Sequence, residues 1–235
     1  MEQQVIEAVQ GQEILARPAN QLLNDFGAGR ASPGSGSAAA LLGLLASKMI
    51  ITVCDISLRK DECSQSHREF SFISEKVTSE IEPRLKNLFE KDAKDFEKVV
   101  SLRVSRDKST DTNEKSKYAR ESLDLLQVAT DYTFEVAETS LSLMEYGVTM
   151  FEHGWHAIRG DSGVAISAAM SGVMSSIFII NLNLKTLKRR KYSKDNLERV
   201  QRLHSRLEEL QTKAFSCVTH ISAESLESIQ LELGE

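Results

Sequence analysis

"ASPGSGSAAALLGLL", residues 31 to 45, joins a proline-glycine-serine turn directly to an uncharged run of alanines and leucines. A flexible linker does not normally open onto such a run, whereas a loop that starts a buried helix does. The stretch therefore predicts a helix from about Ser35 into "KMIITVCDISLRK". The β-branched "IITV" inside it is a strand signal, but no second strand is available to pair with it. A Gly/Ser entry also leaves several backbone N–H groups unpaired at the positive end of the helix dipole. That arrangement suits a carboxylate or phosphate. No lysine follows the second glycine, so the loop is not a P-loop. On these residues alone an ordinary capped turn and an anion site both remain open.

Working outward, nearly every segment has helical period. "NQLLNDFGAG" (20 to 29) reads as a short helix stopped by its glycines. Phe70, Ile73, Val77, Ile81, Leu85, Leu88, Phe89, Phe96 and Val99 continue a three-and-four spacing, with Pro83 expected to kink or restart the helix. "SRDKSTDTNEK" (105 to 115) reads as a polar loop, and Asp111 with Glu114 has capping-box spacing for the next helix. That helix carries Leu123, Leu126, Ala129, Phe134, Ala137 and Leu141 toward "EHGWHAIRGD". A stretch without charge follows from Ser162 to Leu184, then the basic break "KTLKRRKYSKDN". Residues 193 to 230 form an amphipathic C-terminal helix, with Leu197, Val200, Leu203, Leu207, Leu210 and Ala214 on one stripe. The expected architecture is a single all-α domain over 1–235, a multi-helix bundle. The small residues of the Ser35 helix and of 162–184 mark these two as its centre, packed against each other.

The bulk properties narrow the function classes. A formal net charge of -5 and a pI of about 5.7 argue against nucleic acid or an anionic membrane as partner. Cys54, Cys63 and Cys217 are too few and scattered for a disulfide framework or zinc site, and read as reduced thiols of a cytoplasmic protein. "MEQQVIEAVQ" lacks the basic and apolar regions of a signal peptide. The 162–184 stretch is long enough to cross a bilayer, but its five serines and two asparagines fit a buried central helix better. His153 and His156 lack a carboxylate-rich partner motif, so no metal site is assigned.

"SPGSGSAAALLG" resembles the Pro-Gly-Gly-Gly-Ser-x-Ala-Ala stretch of the cyclodeaminase/cyclohydrolase family. "EKDAKDF" (90 to 96), "AIRGDSGVA" (157 to 165) and "INLNL" (180 to 184) resemble later segments of the same family in the same order, so the likeness covers about residues 15–190. The resemblance implies an all-helical, dimeric enzyme of one-carbon folate metabolism, acting as a formiminotetrahydrofolate cyclodeaminase or a methenyltetrahydrofolate cyclohydrolase. It implies a tetrahydrofolate derivative as substrate, with no cofactor and no metal. Gly34, Ser35, Gly36 and Ser37 would shape the folate pocket near the subunit interface, and Asp92 would be the acid/base.

Asp92 lies on a mixed-charge helix face of the kind that is usually solvated. Asp161 either contacts substrate or dimer partner, or serves as the N-cap or first-turn carboxylate of its helix. Asn183 either touches the pterin or bonds a neighbouring helix. Arg59, Lys60 and Arg159 are candidates for the glutamate-tail carboxylates, or simply cations near helix ends. The sequence departs from the family at Ser35 for a middle glycine, at Trp155 and Ile179 for asparagines, and at Tyr132-Thr133 for Val-Pro. The rival expectation is therefore a non-catalytic helical homologue, acting as a small-anion-binding or protein-interaction module.

Overall fold

The computed structural model describes residues 13–233. Among them are eight α-helices and no strand. Helix α1 spans Ala19–Gly27 and α2 spans Ser35–Ser57. The turn between them uses Gly29 at φ +68°, a conformation open to glycine at no steric cost. A 3-10 segment, Asp61–Ser66, leads to α3, His67–Lys76, and α4, Glu82–Lys108. Between these two helices the chain makes a π turn over Val77–Ile81. Pro83 sits in the first turn of α4, where its missing N–H is tolerated, so the expected kink takes the form of a π turn just before it.

Helix α5, Thr112–His153, is 42 residues long. The polar loop expected over 105–115 is shorter than the sequence suggested, because α4 continues to Lys108 and α5 begins at Thr112. The Asp111 side chain caps α5 by accepting the Asn113 N–H at 2.6 Å. Glu114 instead accepts from Ser109 Oγ at 2.8 Å, and that oxygen in turn accepts the Asp111 N–H at 3.1 Å. The capping box thus closes through a serine. Helix α6, Arg159–Thr186, a short α7, Lys191–Asp195, and the long α8, Leu197–Leu233, complete the bundle.

Helices α2 and α6 pack against each other and against α5 at the centre, as the small residues predicted. A Cβ on Gly172 would lie 3.0 Å from Ser140 Oγ of α5 and 3.4 Å from the Ala39 carbonyl oxygen of α2. The backbones are therefore about as close as helices allow. Ser47 and Ser176 are fully buried, yet each hydroxyl donates to the carbonyl four residues back, at 2.9 and 2.8 Å. Internal bonding of this kind lets a helix be buried without carrying unsatisfied hydroxyls. Both central helices are long and apolar enough to cross a membrane, with a mean hydropathy of 1.9 in each, and 56% and 50% of the two windows is buried inside the bundle.

Helix α8 lays Val200, Leu203, Leu210, Ala214 and Cys217 on the body, packing on α5 and α6. Arg199 donates to Glu138 at 2.7 and 3.0 Å, and Arg206 pairs with Glu145 along the same seam. Beyond Glu224 the side chains through Glu232 are exposed, so the last turns of α8 overhang the body.

Candidate active site

The Gly/Ser entry to α2 meets α4 at one point. Gly34 precedes the helix in an extended conformation, without a side-chain cap. The cap comes from elsewhere in the chain: Ser37 Oγ donates to Asp92 Oδ2 at 2.9 Å across 55 residues of sequence, and the Ser37 N–H bonds the same carboxylate. Gly36 makes this approach possible, because a Cβ there would fall 2.3 Å from Asp92 Oδ1. Ser32 Oγ donates to the Ala93 carbonyl at 2.8 Å and ties the loop to the same turn of α4.

Asp92 is only 7% exposed. Its acidic helix face is not a solvated one at this position. Burial pushes the Asp92 pKa above the ordinary carboxylate value; the Ser37 hydroxyl and N–H oppose the rise, and the Asp95 charge one turn away adds to it. Asp95 accepts from Tyr132 Oη at 3.1 Å and from Lys98 Nζ at 3.2 Å, and Lys91 Nζ lies 5.9 Å from the Tyr132 ring centroid. The site thus holds two carboxyl groups in different surroundings: one buried and inclined to keep its proton, one half-exposed with a cation and a phenol. Spacing alone could have flagged Asp95, three residues after Asp92 on a helix. Tyr132, which stands in the family's Val-Pro element, carried no such signal.

Of the residues singled out from the sequence, Gly34, Gly36, Ser37 and Asp92 come together, while the Ser35 side chain faces solvent. Arg59 and Lys60 follow the opposite end of α2, roughly 35 Å of helix from Ser35 at 1.5 Å per residue. Arg59 is exposed, and Lys60 Nζ sits 3.7 Å over the Trp155 ring. Arg159, at the start of α6, is buried and bonds Glu224 rather than an open space beside Asp92. Asp161 is a half-buried carboxylate of the first turn of α6. Asn183 is half-buried on the last turns of α6, which runs antiparallel to α2 and so carries it toward the Ser35 end. Within one chain, then, the basic residues do not reach Asp92.

The described residues thus form an all-helical bundle with a buried carboxyl at a Gly/Ser helix entry. The formiminotransferase-cyclodeaminase family model matches residues 18–202, and the chain belongs to that family. It is 24% identical over 188 residues to the methenyltetrahydrofolate cyclohydrolase of Methylorubrum extorquens, covering 78% of this chain and 89% of that one. Its fold matches the crystal structure of formiminotetrahydrofolate cyclodeaminase from Thermotoga maritima with a TM-score of 0.76 at 18% identity, over 89% of this chain and 100% of that one.

Proposed function

We propose that this chain is an enzyme of folate one-carbon metabolism that acts on a tetrahydrofolate derivative as cyclodeaminase or cyclohydrolase, with Asp92 as general acid/base. One observation supports it above the others: Asp92 is buried with a raised pKa, yet its carboxylate is held by only one residue's hydroxyl and N–H at the positive end of α2. A carboxyl held by so few donors is placed both to accept and to donate a proton. In cyclodeamination N10 attacks the carbon of the protonated formimino group, the new C–N bond closes the five-membered ring, and ammonia leaves with the electron pair of the broken bond, the positive charge remaining on the methenyl product. Asp92 takes the N10 proton and delivers one to the departing nitrogen. In cyclohydrolysis the ionised carboxylate accepts a proton from water as the water oxygen bonds the methenyl carbon; it returns that proton to the ring nitrogen as the C–N bond breaks, and the adduct hydroxyl releases its own proton to solvent as the formyl C=O forms.

The rival reading draws on the same contact. A carboxylate that caps α2 already has a structural task, and a non-catalytic homologue would need it for nothing more. A homodimer fits either reading, since Val164, Met174, Phe178 and Leu182 expose 49%, 41%, 69% and 64% along one face of α6. Two copies packed antiparallel along that face would bring one copy's Arg59 end toward the other's Asp92. The proposal also places the protein in the cytoplasm, with no nucleic acid or membrane as partner. The test adds 5-formiminotetrahydrofolate or 5,10-methenyltetrahydrofolate to the protein and follows the methenyl absorbance. Appearance of the band from the first identifies a cyclodeaminase, and its loss from the second a cyclohydrolase. Turnover of neither rejects the proposal in favour of the rival.

A further inference from the structure

A second feature lies at the other end of α6. Between its first turns and α8 is a cavity of about 370 Å³, lined mainly by Phe151, Ile166, Met170, Ala214, Phe215 and Val218. Its size falls in the range of about 300–1,000 Å³ typical of small-molecule sites. Arg159 supplies its charge, with a side chain only 9% exposed. Arg159 Nε donates to the Phe151 carbonyl at 3.2 Å, Nη1 donates to both Glu224 oxygens at 2.9 Å, and Nη2 lies 3.0 Å from His156 Nε2. A guanidinium buried this far needs an anion beside it. The anion it has is 45% exposed and sits where α8 leaves the body. Two further residues of the lining, Gly160 and Gly163, are helical glycines with nothing within 4 Å of a would-be Cβ. Glycine is a poor helix former, and here no neighbouring atom of the chain requires it. The family match ends at residue 202, before the part of α8 that lines the cavity.

We propose that this cavity binds an amphiphile with one carboxylate on an apolar body, and that Glu224 fills the anion seat on Arg159 in the free protein. The apolar body lies against Ile166, Met170 and Phe215, in the room left by Gly160 and Gly163. Its carboxylate takes the place of Glu224, which keeps the buried guanidinium compensated while releasing the last turns of α8. The inference uses no residue that meets Asp92, and it requires the α6 side of the cavity to stay open in solution.

The test titrates the full chain calorimetrically with decanoate, with 2-naphthoate and with the uncharged 1-decanol. At least one carboxylate binds, and whichever binds tighter identifies an alkyl or an aryl body. Decanol binds more weakly than decanoate by roughly tenfold or more, the loss of a charge-assisted hydrogen bond. Glu224→Gln tightens carboxylate binding because it removes the internal competitor, whereas Arg159→Gln weakens it. Gly163→Leu, whose Cβ meets no atom within 4 Å, projects into the cavity and abolishes binding, and it remains informative if the Arg159 variant fails to fold. Amide exchange in residues 225–233 rises on binding. Absence of binding by both carboxylates overturns the proposal. So does equal binding by decanol, an unchanged affinity in Glu224→Gln, or an unchanged affinity in Gly163→Leu. If Gly163→Leu instead splits an oligomer that binds neither probe, the cavity is a subunit contact and the proposal fails.

Discussion

Gly36 and Asp92 are a matched pair: a single methyl group on Gly36 would stand 2.3 Å from Asp92 Oδ1. Gly36→Ala should therefore displace the carboxyl from the end of α2. Overpacking of this kind costs about 1–3 kcal/mol, read as a lower denaturant midpoint. In an Asp92→Ala background the same substitution should cost much less, since its steric partner is gone. Equal costs in both backgrounds would show that the clash is relieved elsewhere.

Burial raises the Asp92 pKa and Ser37 opposes it. Its hydroxyl and N–H favour the ionised carboxylate against the burial that raises the pKa. Ser37→Ala removes the hydroxyl and should move the Asp92 pKa further up. If Asp92 is the base of a cyclohydrolase, the acid limb of the rate profile shifts to higher pH in this variant. An unmoved limb would assign that limb to another group.

Stability should carry the same signature. A carboxyl whose pKa is raised on folding binds its proton more tightly in the folded chain. Its contribution is therefore full below the unfolded value and is lost as pH rises through the folded one. As pH rises above about 4, the ordinary carboxylate range, urea unfolding should show wild type losing stability relative to Asp92→Asn. A pH-independent difference would contradict the burial of a raised carboxyl.

Two glycines of α6 should respond oppositely to leucine. Gly172 faces Ser140 and Ala39 at 3.0 and 3.4 Å, so Gly172→Leu should cost about 1–3 kcal/mol or more by forcing the three central helices apart. Gly163 has open space and should accept leucine with no loss, or with a gain from helix propensity. Thermal melts of the two variants decide it, and similar losses in both would refute the packing described for the centre.

The start of α2 at Ser35, the small-residue seam between α2 and α6, and the helical turn at Pro83 were legible in the sequence because each has a local cause. The meeting of the loop with Asp92 was legible only through the resemblance, since a cap supplied from 55 residues away leaves no local pattern. For the same reason nothing announced that Asp92 would take the Ser37 N–H, or that Arg159 would pair with Glu224, 65 residues on. The overlong loop at 105–115 has a simpler origin. Polar residues on an exposed helix end look the same as a loop until a cap such as Asp111 fixes the boundary.

The most direct measurement is kcat for Asp92→Asn on 5-formiminotetrahydrofolate and 5,10-methenyltetrahydrofolate, beside a circular dichroism melt of the same sample. The account predicts a fall of about 10²–10⁴-fold on whichever substrate the wild type turns over, with the helical fold intact. Wild-type rates in a folded Asp92→Asn protein would show that the carboxyl is only a helix cap.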